Sequence, residues 1–158
     1  VLSKLPAGSD NQVLTLASGV PSWASGTTYS EGSFTPTIGS NGTQPTISYG
    51  VQRGLYSKIG RQVHVEILIT FNSYTAGTGT IEIRGLPFTV NSTVTFPAGG
   101  AILSNVVFLG YVNCSATISS TILELIQTVS GTGSASLPTT GLSSSSVIIA
   151  TCNYEATS

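Results

Sequence analysis

The chain has 158 residues, a mass of 16.1 kDa and a formal net charge of −1, and only 7% of its residues are charged, against about 25% in ordinary soluble domains. This length supports one domain with a real core. This charge leaves no electrostatic footprint for nucleic acid and no basic amphipathic stretch for a membrane surface.

Mean hydropathy is +0.32, yet no apolar run reaches the ~18 to 20 residues of a membrane-spanning helix. Water is met instead by 46 Ser and Thr residues, with 18 Gly among them. Hydrophobic residues make up 40%, too many beside so little charge for intrinsic disorder. One His and two Cys do not suffice for a structural zinc site. No metal and no cofactor is expected. The chain opens at Val1, without an initiator Met or a signal peptide, and reads as a fragment or a processed product.

The first 26 residues are rich in turns. They hold one short strand candidate, Val13 to Leu16, and the only tryptophan, Trp23. We read 1–27 as an extended neck and 28–158 as the compact domain. A lone tryptophan in a neck must bury against something. Either it packs under the domain, or three copies meet on an axis.

From Val63 to Phe71 the sequence alternates. Val63, Val65, Ile67, Ile69 and Phe71 share one face, and His64, Glu66 and Thr70 the other. Period two means a strand with one buried side. Ile81 and Ile83 repeat the pattern against Glu82 and Arg84, and the polar stretch NSYTAGTG between them is predicted as a hairpin loop. Val94 and Phe96 alternate with Thr93 and Thr95. Ile102 to Tyr111 is more continuously apolar, the pattern of a central strand covered on both sides. Ile118 to Val129 and Val147 to Tyr154 complete the series. TILELIQTV has helix-like apolar spacing, but β-branched flanks and missing caps make it a strand. Many short strands broken by Ser, Gly and Pro predict an all-β fold, an antiparallel β-sandwich of jelly-roll-like form.

Two stretches carry a resemblance. GSDNQVLTLASGVPSWAS resembles the repeat-like segments that precede the globular tip of viral and bacteriophage fibre proteins. The block from Gly32 to Val90, with YSKIGRQV leading into the long strand and the IRGLPF turn, resembles a β-sandwich module near the C-termini of phage tail fibres and tailspikes. The resemblance covers a little over half the chain, and the last 60 residues lie outside it. It implies a homotrimeric, virion-exposed tip that contacts a host surface, often a glycan, and it carries over no binding residues.

Physical chemistry fits that role independently. With few titratable groups, stability depends weakly on pH and salt. Few charges guard the strand edges, and closed symmetric assembly would hide edges and apolar surface together.

Sugar recognition stacks aromatic rings on the ligand and reads its polar edge with amides and hydroxyls. Tyr74 and Asn72 in the predicted loop fit that chemistry, and Tyr49 with Arg53 in ISYGVQRG is a second pair. His64, Glu66, Glu82 and Arg84, with Arg61 close by, gather on the polar faces of two strands read as a hairpin. They make a cross-strand salt-bridge ladder, a ligand patch or a glycosidase-like carboxylate pair. The ladder is preferred, because a catalytic acid needs a raised pKa and the arginines push the other way. The single His, the missing GxSxG elbow and the wrong glycine spacing of GTGTIEIRG argue against an enzyme. Cys114 and Cys152 are read as free buried thiols, with a disulfide as the alternative. Asn41, Asn91 and Asn113 begin N-x-[ST] sequons.

Overall fold

A computed structural model describes residues 4–10, 12–93, 97–129, 131 and 133–157. Among these, the chain forms twelve strands and one 3₁₀ turn, Thr139–Gly141. The strands are β1 (Gln12–Ala17), β2 (Val20–Ser25), β3 (Tyr29–Phe34), β4 (Thr37–Ser40), β5 (Thr46–Ile59) and β6 (Gln62–Thr75). They continue with β7 (Ile81–Arg84), β8 (Ala98–Ser104), β9 (Tyr111–Ala116), β10 (Ile122–Val129), β11 (Gly133–Ser136) and β12 (Val147–Glu155). The alternation expected at Val94 and Phe96 lies outside the described residues.

β1 and β2 form a separate two-stranded hairpin. Residues 12–25 therefore carry two strands where the sequence suggested one. Its turn is closed by Ser18 and Gly19, both left-handed (φ 52° and 80°), the backbone that a two-residue hairpin turn requires. The other ten strands make one curled antiparallel sheet in the order β3-β5-β6-β12-β8-β9-β10-β7-β4, with β11 on β10. The fold is an all-β antiparallel sandwich.

Alternation sets its two faces. Val63, Val65, Ile67 and Ile69 of β6 are buried, as are Ile148, Ala150, Cys152 and Tyr154 of β12. They join Ile81 and Ile83 of β7 and Leu123 and Leu125 of β10 in one core. TILELIQTV is the strand β10, with Leu123 and Leu125 fully buried.

Two expectations are corrected. β6 and β7 are not a hairpin: β6 pairs with β5 and β12, and β7 pairs with β4 and β10. Both strands bury an apolar face, so they lie across the core rather than side by side. Residues 102–111 are not one covered strand either. β8 ends at Ser104, Asn105 and Gly110 take positive φ (54° and 74°), and β9 starts at Tyr111. Ile102, Val107, Leu109 and Tyr111 are 67, 76, 63 and 81% exposed.

Candidate functional site

Strand direction gives the sandwich two unlike ends. At the near end, where the β5–β6 turn lies, the Gly60 amide donates to Thr28 O at 2.9 Å, so the hairpin β1–β2 leads in there. At the far end β6 runs out at Thr75, and β8 ends at Ser104 opposite Val147, the first residue of β12. The connecting segments are tied together at that end. The Val107 amide donates to Gly141 O at 2.8 Å, Ser146 Oγ to Asn105 O at 2.5 Å and Thr139 Oγ1 to Gly77 O at 3.0 Å. Ser40 Oγ donates to Thr43 O and Thr78 O, both at 2.9 Å.

Three of the sequence-selected residues meet at this far end. The register slips twice where β5 and β6 approach it: Ser48 faces Ser73, Tyr49 faces Phe71 and Val51 faces Thr70. Asn72 is thus the extra residue on β6, and Gly50 the extra residue on β5. Paired bulges of this kind re-aim side chains. They turn Tyr49 inward, its ring centroid 6.0 Å from that of Phe71, which lies 5.4 Å from Tyr74. Both tyrosine hydroxyls are engaged by backbone. Tyr49 Oη accepts from the Ile38 amide at 2.7 Å, and Tyr74 Oη donates to Thr139 O at 2.8 Å. Burial pushes the Tyr74 hydroxyl up to about 12. Burial raises Tyr49 too, against the lowering effect of the Ile38 amide. Asn72 and Tyr74 therefore sit within β6, not in a loop. Asn72 is exposed, and Tyr49 and Tyr74 are half-buried.

Arg53 stands apart from them. It projects from the outer face of β5 into an open hollow of about 390 Å³ lined also by Leu55, Glu66, Leu68, Ile149 and Thr151. No hydrogen bond or ion pair engages its side chain among the described residues.

The ionisable residues do not form one ladder, because β6 and β7 lie in opposite layers. On β6, His64 Nε2 is 3.6 Å from Glu66 Oε1, and its Nδ1 is 2.9 Å from Asn153 Oδ1. Arg61 pairs with Glu155 at 2.6 Å. On β7, Arg84 clasps Glu82 at 2.6 and 2.8 Å and donates to Ser40 O at 2.7 Å. The carboxylate facing Glu82 in register is Glu124 on β10, not Glu66. Glu124 accepts from Thr117 Oγ1 at 3.4 Å and from Ser136 Oγ at 3.2 Å. Each of these two carboxylates is thus held by its own donors. Among the described residues no group of three metal-ligating side chains occurs. Cys114 and Cys152 are free and buried.

The surface features that sequence reasoning missed are apolar. On the hairpin, Leu14 and Leu16 are 57 and 74% exposed, and they face Trp23 and Pro21 in register. The Trp23 indole donates to Pro6 O at 2.7 Å and lies over Gly8, so it packs on the segment just before its own hairpin. The Ser18-Gly19 dipeptide was the available signal for this hairpin. Tyr111, beside the far-end loop 105–110, had none, since its neighbours read as core.

No family model and no curated protein matches the chain. Among solved structures, the chain is similar to the Dettilon tailspike protein, with 17% identity and a TM-score of 0.66 over 82% of this chain. The match covers 24% of the tailspike, so the chain spans about a quarter of that protein's length. The likeness is one of fold: this curled sandwich also occurs as part of a tailspike.

Proposed function

We propose that the chain is the receptor-binding tip of a viral fibre, a bacteriophage tail fibre or tailspike. In this reading it assembles as a homotrimer on the virion, with residues 1–27 as the neck and 28–158 as the tip. It holds a host-surface glycan without cleaving it. One observation carries the reading. The neck enters at one end of a sandwich also found in a tailspike, and hydroxyl-bearing loops gather at the other beside the exposed Val107 and Leu109.

The neck supports assembly. A lone two-stranded hairpin is marginal in water, and this one exposes Leu14 and Leu16 beside Trp23 and Pro21. Three copies meeting through that face would cover it. The far end supports ligand contact. Its loops offer backbone and hydroxyl groups, Asn72 supplies an exposed amide, and Tyr111 an almost fully open ring. Ring faces and amides together suit sugars. Each contact would be weak, and three per tip on several tips give adhesion by effective concentration.

The test is binding of the intact protein to host surface polysaccharide and to a glycan array. Binding is expected, with loss in Tyr111→Ala and Asn72→Ala variants whose folding is intact. No new reducing ends should appear on incubation with the polysaccharide. A protein that binds no host glycan is a fibre cap, and one that releases reducing ends is an enzyme; either result removes this reading.

A further inference from the structure

The outer face of β5, β6, β12 and β8 is not finished as a water-facing surface. Register places Arg53, Leu68, Ile149 and Ile102 in one row across the four strands. The next row toward the neck holds Leu55, Glu66, Thr151 and Gly100. Ile102 is 67% exposed, and Ile149, Val51 and Leu55 are 42, 38 and 36% exposed. Past a polar row of Glu31, Ser57, His64 and Asn153, the same face of β5 reaches Ile59, 57% exposed, which pairs with Tyr29, 59% exposed, where the neck enters. Contiguous apolar surface of this kind marks an interaction site.

We infer that this face is the contact between copies of this chain in the sandwich, turned toward the axis on which the necks meet. The inference rests on the trimeric reading above and goes beyond it by naming the surface. Three features select a second copy as the occupant. The strip lies on the face of β5 that reaches the neck, one polar row away from Ile59 and Tyr29, so copies joined at their necks already hold these faces close together. The lining of the hollow carries one cation and one anion, Arg53 and Glu66, and the charged groups nearer the neck are matched among themselves, Arg61 with Glu155 at 2.6 Å. The face is therefore self-complementary and suits neither an acidic nor a basic partner. Its shape is also two-part: a hollow between β5 and β12 beside Leu68, and the projecting Ile102 two strands from Leu68. A threefold ring needs two different patches that fit each other, whereas a twofold contact uses the same patch twice. Ile102 of one copy seated in the hollow of the next satisfies that rule. A sugar would find no ring and no amide in the lining of this hollow.

The experiment uses the full chain carrying Ile149→Cys, with Thr128→Cys on the exposed outer face of β10 as the reference. The native thiols are buried and stay silent. Maleimide reaction is timed on protein whose molar mass is measured in the same buffer. On a trimer, the Ile149→Cys thiol should react at least tenfold more slowly than the Thr128→Cys thiol, and at a similar rate once both are unfolded. Equal rates on a trimer overturn the assignment of this face and leave trimerisation standing. A monomeric mass overturns both. As a second arm, an Ile102→Glu, Ile149→Glu double variant should lower the trimer fraction at least tenfold at a fixed concentration. Both positions are open in a single copy, so the fold itself is unburdened. An unchanged trimer fraction counts against the assignment.

Discussion

Asn72 Nδ2 donates to Tyr49 O at 3.0 Å and ties together the two bulged strands at the far end of the sandwich. Asn72 is the extra residue of β6, and the amide lands on the backbone of the tyrosine that the bulges turn inward. Replacing Asn72 with Ala removes this neutral hydrogen bond, which contributes about 0.5–1.5 kcal/mol. Urea unfolding should show that loss with an unchanged slope. An unchanged midpoint would mean the bulges hold without the amide.

Gly99 lies in β8, in register with Cys114 on one side and Cys152 on the other. A Cβ there would stand 1.8 Å from Thr151 O and 2.6 Å from Cys152 Cα, whereas one at Gly100 would meet nothing within 4 Å. Both obstacles are backbone, so Gly99→Ala forces the strands apart and should cost about 3 kcal/mol or more. Gly100→Ala should stay within about 0.5 kcal/mol. Thermal unfolding of the two variants side by side checks the contrast, and equal behaviour would contradict it.

Tyr154 is 2% exposed, and its hydroxyl makes no hydrogen bond of good geometry among the described residues, the Phe88 backbone being the polar group that lies near it. A buried hydroxyl left unpaired costs about 1–3 kcal/mol. Tyr154→Phe keeps the ring and removes that group, so its stability should equal or exceed that of the wild type by up to about 1 kcal/mol. A clear loss of stability would reveal a partner for the hydroxyl.

Alkali should unfold the protein through its tyrosines. Burial pushes the Tyr74 hydroxyl up to about 12 from 10.0, and burial raises Tyr49 and Tyr154 as well. An acid whose pKa is higher in the folded state loses its proton first in the unfolded chain. The stabilisation is therefore complete below about pH 10 and is lost as pH climbs toward 12. Stability measured from pH 8 to 12 should fall over that window and fall less steeply in Tyr74→Phe. An equally steep fall in the variant would assign the effect elsewhere.

Much of this architecture was legible because one buried face writes a strict alternation. Val63 to Phe71 and Val147 to Tyr154 carry it, and β10 could be told from a helix by its flanks. Partner choice was not legible: Ile81 and Ile83 show that β7 buries one side, but nothing in five connecting residues says that it crosses the core. The bulges at Gly50 and Asn72 were equally silent, since an inserted residue looks like any other until its partner strand is known. That hid the inward turn of Tyr49 and the backbone engagement of Tyr74. The misreading of 102–111 has a different cause. Hydropathy reports that a residue avoids water, not which molecule covers it. Ile102, Leu109 and Tyr111 look like the core of one chain and stand on its surface.

The exposed apolar surface of the hairpin and of the sheet calls for assembly of like chains about an axis. Light scattering on the intact protein in dilute neutral buffer measures it directly. A trimer gives a mass near three times 16.1 kDa that persists on dilution. A steady 16.1 kDa particle that remains folded and soluble at every concentration would contradict it.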